Sequence, residues 1–195
     1  MAAFFGNLRN VVIASFVLAI LLVGIYCATQ GFDGLLFELF VLRWLHIAAS
    51  VMWIGLLWYF NFVQIPTMPK VPDELKKGVT GYIAPKVFFY FRWAALLTVV
   101  TGLLIAILAG YGHRAMTFAG ATRNENMIGL GMWLALIMAF NVWFIIWPAQ
   151  KKILGLAEAT DEEKAKLAPR ALMASRTNLL LSLPMLYCMA SANLS

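Results

Sequence analysis

Long apolar runs separated by short polar stretches organise this chain. A run of about 18 or more apolar residues is long enough to cross a bilayer as a helix. The pattern predicts five spanning helices, at roughly 10–28, 38–65, 86–109, 127–148 and 171–192. Between them, segment 66–85 carries Pro66, Pro69 and Pro72 with Lys70, Lys76 and Lys77, and reads as a hydrated connection. Segment 110–126 is glycine-rich and polar. Segment 149–170 places Glu163 three residues after Thr160, the spacing of a capping box, and predicts a short surface helix there. No internal repeat or low-complexity tract interrupts the series. The expected fold is all-α, a polytopic five-helix membrane bundle forming a single integral-membrane domain over residues 1–195.

Composition narrows the class. The chain is 63% hydrophobic and 12% charged, whereas soluble domains carry about a quarter charged residues. The first apolar run follows a single cation, Arg9, and lacks a clear small-residue cleavage site, so it reads as a retained helix and not a signal peptide. Cys27 and Cys188 stand far apart without CxxCH or CxxC, which excludes covalent c-type haem, zinc ribbons and thioredoxin chemistry. The net charge of +6 is a topology signal and not a nucleic-acid signal. Arg9, Lys70, Lys76, Lys77, Lys86, Lys151, Lys152, Lys164, Lys166 and Arg170 fall on one side of the predicted spans. Only Arg43, Arg114 and Arg123 fall on the other. The positive-inside rule then places the N-terminus in the cytoplasm and the C-terminus in the periplasm of a bacterial inner membrane.

Polar groups inside the spans are the candidate chemistry. His46 lies within the second span, about 12 Å in from Glu38, and an ionisable group there is a functional-site hypothesis by default. Arg43, Ala49, Ser50 and Trp53 accompany it at helical spacing. Small residues beside an imidazole leave room for a flat group, and haem b ligated by His46 is the candidate. Arg43, Arg114 or His113 would neutralise its propionates, Ser50 and Trp53 would shape the pocket, and His113, Met132 or Met138 would be the second ligand. The competing reading is a histidine hydrogen-bonded to a neighbouring helix, with Arg43 snorkelling. A second group, Arg92, Asn141, Arg176 and Asn178 with Asn61 and Gln64, gathers in the cytoplasmic half. The spans hold no carboxylate past Glu38, so these residues form either an amide network or a site for an anionic ligand. The same lack argues against a proton or cation pump. Trp58, Tyr59, Trp143 and Trp147 suit an interfacial belt.

Three co-ordered motifs carry a family resemblance. Leu45-His46 with the run from Trp53 to Gln64 and Pro66 is the first. Phe91-Arg92-Trp93-Ala94-Ala95 followed by Thr101-Gly102-Leu103-Leu104 is the second. Asn141-Val142-Trp143-Phe144 with Trp147-Pro148-Ala149-Gln150-Lys151 is the third. Together they resemble the transmembrane region of the membrane-bound urate oxidase (urate hydroxylase) family. More distantly, the chain resembles HemJ-type protoporphyrinogen oxidases and CopD-like membrane proteins, in Leu45-His46 and in Arg176, Asn178 and Pro184. That likeness implies b-type haem on His46 and roughly matches a family lysine to Lys86, which the topology places far from His46.

The resemblance implies an inner-membrane oxidoreductase acting on urate, or in the nearest variant on a porphyrinogen. Urate oxidases of this type add a C-terminal cytochrome c domain, and this sequence ends at Ser195 without CxxCH. Electrons are therefore expected to pass to a separate cytochrome c or a quinone. The rival class is a non-catalytic accessory subunit of a larger respiratory-type membrane complex, docked through the small residues Ala48, Ala49, Gly55, Gly129 and Gly131. A transporter is the weakest reading, since neither inverted repeats nor broken midplane helices are evident.

Overall fold

The computed structural model describes residues 2–191, with Gln30 described by its backbone alone. The described residues are helical and contain no strand. The chain packs as two compact units, Met1–Phe40 and Val41–Ser195.

In the first unit, helix α1 spans Leu8–Gln30. It starts where the Asn7 side chain accepts a hydrogen bond from the Arg9 N–H at 3.0 Å. It stops at Gly31, whose φ of 83° suits glycine and ends the helical path. Helix α2 spans Gly34–Trp58, with 34–40 in this unit and 41–58 in the second, and begins under Asp33, whose carboxylate accepts from the Leu36 N–H at 3.0 Å. Tyr26 and Phe40 stack with ring centroids 5.9 Å apart. The large apolar side chains of α1, such as Phe16, Leu18, Ile20 and Leu22, are exposed, as lipid-facing positions require.

The second unit holds the core. Helix α3 spans Ala84–Leu108, α4 spans Arg123–Phe140, and α5 spans Asp161–Ser191. Among the described residues, four stretches are long and apolar enough to cross a membrane: Leu8–Thr29, Gly34–Lys70, Asp73–Leu108 and Arg123–Ile153. Helix α5 has the length but not the apolarity, because Arg176, Thr177, Asn178 and Ser182 dilute it. Residue 192, the expected end of its span, lies outside the described residues.

Two connections differ from expectation. Segment 66–85 is mostly helical: Ile65–Thr67, Met68–Lys70, Asp73–Gly78 and Val79–Ile83 follow one another with a break only at 71–72. The capping box also forms as predicted, with the Thr160 N–H donating to Glu163 Oε2 and the Glu163 N–H to Thr160 Oγ1, each at 3.2 Å. The helix it starts does not stop at the surface. It runs through Pro169 and Pro184 to Ser191 as α5.

Three π-helical turns, Tyr59–Gln64, Val79–Ile83 and Asn141–Ile146, mark one end of the bundle. Each is followed two residues later by a proline: Pro66, Pro85 and Pro148. A proline lacks the N–H for the carbonyl four residues back and its ring collides with that carbonyl. Those carbonyls belong to Phe62, Gly81 and Phe144, all inside the wide turns. Widening to an i→i−5 bond relieves the clash without breaking the helix. Side chains take up carbonyls in two of these regions: Asn61 Nδ2 donates to Leu57 O at 2.9 Å, and Thr80 Oγ1 to Lys76 O at 3.0 Å.

The opposite end closes around glycine. The short helix Gly112–Met116 lies against α4 so closely that a Cβ on Gly129 would stand 2.0 Å from Ala115 O. Backbone cannot yield as a side chain tip can. Gly131 likewise faces Cys188 and Met189, and Ala49 is buried. These small residues serve packing within the chain, while Ala48 and Gly55 stay open. We expect Gly129→Ala to lower stability by about 1–3 kcal/mol, as overpacking does, read from thermal unfolding of the detergent-purified chain.

Candidate functional site

The polar residues of α5 organise the inside of the second unit. Ser175, Asn178 and Ser182 recur at i, i+3 and i+7 on one face and are 8%, 0% and 0% exposed. Ser175 Oγ accepts from Asn61 Nδ2 at 3.0 Å, and Ser182 Oγ accepts from Trp58 Nε1 at 3.2 Å, so both tie α5 to the α2 segment. Asn178 accepts from Asn141 Nδ2 at 2.8 Å and donates to Met138 O at 2.9 Å, which ties α5 to α4. Trp143 Nε1 donates to Arg92 O at 3.1 Å and joins α4 to α3. Trp58 and Trp143, expected in an interfacial belt, thus spend their N–H groups on interhelical bonds.

Of the expected inner polar site, Asn141 and Asn178 come together but satisfy each other. Arg176 is exposed, with Nη1 3.5 Å from Asn61 O. Arg92 stands apart, its guanidinium 3.8 Å from the Trp147 ring centroid and its Nη1 shielded without a partner.

Beside this layer, at the proline end, the bundle forms a half-open chamber of about 510 Å³, within the range of small-molecule sites. Phe60, Phe88 and Phe91 form its aromatic wall; Phe60 and Phe88 stack at 4.4 Å, and Phe91 meets Phe60 edge-on at 5.5 Å. Gln64, Thr80, Gln150 and Ser175 add polar groups, and Lys76 is the charged member of the wall. Lys76 Nζ lies 2.7 Å from the exposed Asp73 carboxylate. All three π-helical turns contribute wall residues: Phe60 and Gln64, Thr80, and Ile146. Gln64 alone of the sequence candidates lines the chamber. The other wall residues carry no sequence signal because the wall is assembled from four segments scattered between residues 60 and 175.

The His46 region is different. Its Nδ1 lies 2.9 Å from Thr98 O and 3.2 Å from Thr101 Oγ1. A carbonyl only accepts, so Nδ1 carries the proton, and Nε2 is the lone-pair nitrogen of the neutral ring. That is the tautomer a metal-ligating histidine adopts. The ring lies over Gly102, where a Cβ would stand 2.9 Å from its Cε1. The space beside it is only about 30 Å³, lined among others by Met132 and Met189.

Of the expected haem pocket, His46 and the candidate ligand Met132 meet there. Ser50 Oγ instead donates to Ile47 O at 2.9 Å. Trp53 is fully buried in the core with Nε1 unpartnered. Arg43 is exposed near Tyr111, whose phenol burial pushes above its usual value while Arg43 pulls it down. Met138 belongs to the core, and Arg114 is paired with Glu125 at 2.7 Å. Lys86 is exposed and lines neither space. The space beside His46 and Met132 is sized for one water or ion. The room that small residues seemed to leave is filled by close approach of α3.

The model of the urate oxidase N-terminal family matches residues 91–195, more than half of the chain, and the chain belongs to that family. No curated protein and no solved structure matches. The matched region supplies Phe91, Ile146, Gln150 and Ser175 of the chamber wall.

If the Asn141–Asn178 pair fixes α4 to α5, Asn178→Leu and Asn141→Leu should each cost up to about 2 kcal/mol. The double variant should lose clearly less than their sum. Unfolding of the four chains in one detergent measures the coupling.

Proposed function

We propose that this family member is a membrane-embedded oxidoreductase of the urate oxidase type, with the 510 Å³ chamber as its substrate site. The observation that carries the reading is the coincidence of the family match with a chamber whose wall suits a flat anionic ring. Phe60 and Phe88 offer stacking surface, Gln64 and Gln150 offer amides at the ring edge, and Lys76 offers charge to a urate monoanion.

In the proposed topology, α5 completes a five-span bundle with its N-terminus in the cytoplasm, following the lysines and arginines. The chamber then opens near the cytoplasmic surface. Oxidative hydroxylation of urate adds a water oxygen to the ring and releases two electrons and two protons. The chain's part is to orient the ring, exclude bulk water from its face and neutralise its charge. The electrons leave to an acceptor outside this bundle, a separate cytochrome c or a quinone. A second reading, an accessory subunit of a larger membrane complex, draws on the open small-residue positions Ala48 and Gly55. It predicts co-purification with partner subunits at fixed stoichiometry and no turnover alone.

The test is urate consumption by the purified chain in nanodiscs, with a soluble cytochrome c or a short-chain quinone as acceptor. Turnover is expected. Ala168 is exposed and lies on the chamber wall. Ala168→Trp should lower kcat/KM by about tenfold or more by occupying the chamber, a loss of about 1.4 kcal/mol in transition-state stabilisation, with an unchanged melting temperature. Equal turnover by this variant would move the substrate elsewhere.

A further inference from the structure

Outside the chamber, the lipid side of α3 carries a cation with no counter-charge. Arg92 lies eight residues after Ala84, about 12 Å along the helix from its start, and lines no part of the chamber. Its guanidinium stands 3.8 Å from the Trp147 ring centroid and 5.5 Å from that of Phe89. Nη1 is shielded, while Nε and Nη2 stay open. Trp143 Nε1 donates to the Arg92 carbonyl at 3.1 Å, so the arginine is held at its base as well as its tip. Phe89, Tyr90 and Trp93 beside it are nearly half exposed, as lipid-facing side chains are, and tryptophans at this position suit the headgroup level. Two further cations share the surface by helical register. Lys86, Phe89 and Arg92 recur every three residues on α3, and Lys86 is exposed. Lys151 follows Trp147 by four residues on the helix Trp147–Ile153. The ion pairs among the described residues use Lys76, Arg114, Lys152, Lys164 and Lys166, and none of these three cations. A cation at the depth of Arg92 is costly unless an anion reaches it, and here that anion has to come from outside the chain.

We infer that Arg92, with Lys86 and Lys151, binds the headgroup phosphate of an anionic phospholipid at the proline end of the bundle. Arg92 offers Nε and Nη2 as a fork for two phosphate oxygens, and Trp147 holds that fork in place. The two lysines add charge nearer the membrane surface. The acyl chains run along the exposed aromatic face of α3 at Phe89 and Trp93. A zwitterionic headgroup would bring its own cation to three cations without a paired carboxylate, so the site prefers a lipid of net negative charge. It stands apart from the chamber and does not depend on what the chamber binds.

The experiment is native mass spectrometry of the full chain released from neutral-detergent micelles that hold equal amounts of phosphatidylglycerol and phosphatidylcholine. Wild-type chain should retain phosphatidylglycerol about fivefold or more over phosphatidylcholine, and Arg92→Gln should shrink that preference to about twofold or less. The double variant Lys86→Gln/Lys151→Gln leaves the Arg92–Trp147 contact intact and should at least halve the preference. Equal retention of the two lipids by the wild-type chain overturns the inference. So does a preference unchanged in Arg92→Gln or, where that variant does not fold, in the lysine double variant. Displacement of the bound lipid by millimolar inorganic phosphate would mean that any phosphate suffices, and overturns the assignment to a lipid. A lipid-free dimer that Arg92→Gln dissociates would put a second copy of the chain on this face and overturn it too.

Discussion

A helix rich in polar residues has to find hydrogen-bond partners before it can sit among apolar ones, and α5 is that helix. Ser175, Asn178 and Ser182 are placed on its buried face, and each is met by a group from α2 or α4. Individual bonds of this kind contribute modestly in membranes, about 0.6 kcal/mol on average. Their geometry still fixes which residues face which, because an unsatisfied amide in hydrocarbon is far more costly than any single bond is favourable. The depth and rotation of α5 follow from these partners, and so does the position of Ser175 in the chamber wall.

The prolines decide the other end. Pro66, Pro85 and Pro148 would each break an i→i−4 ladder, and the helices absorb them by one wide turn apiece. Pro169 and Pro184 are carried inside α5 without such a turn. Three widened turns contributing to one wall bend the side-chain register there, and the aromatic residues line a space instead of filling it. The Phe60–Phe88–Phe91 cluster is at once the floor of the core and the face of the chamber.

At the far end close approach dominates. Gly102 lets the His46 ring lie on α3, and Gly129 lets the Ala115 backbone lie on α4. A histidine so held donates to Thr98 O through Nδ1. Ala49 and Ser50, which the sequence presents as room for a flat group, are taken up by packing and by a local bond to Ile47 O.

The sequence by itself determined the class and much of the framework. Apolar runs long enough for a bilayer, the Thr160–Glu163 cap and the family motifs in 91–104 and 141–151 are local signals, written in spacing and residue type. Segment 66–85 reads as a connection because its prolines look like loop punctuation, whereas wide turns and first-turn positions accommodate them within helix. What only the tertiary structure decided is which polar residues answer one another. Asn141 and Asn178 look like ligand-binding amides until they are seen bonded together, and Gln64 looks like a helix-end glutamine until it is found in a chamber wall. Hydrogen bonding and enclosed volume are properties of side chains from different helices brought within a few ångströms, and no spacing along one helix encodes them.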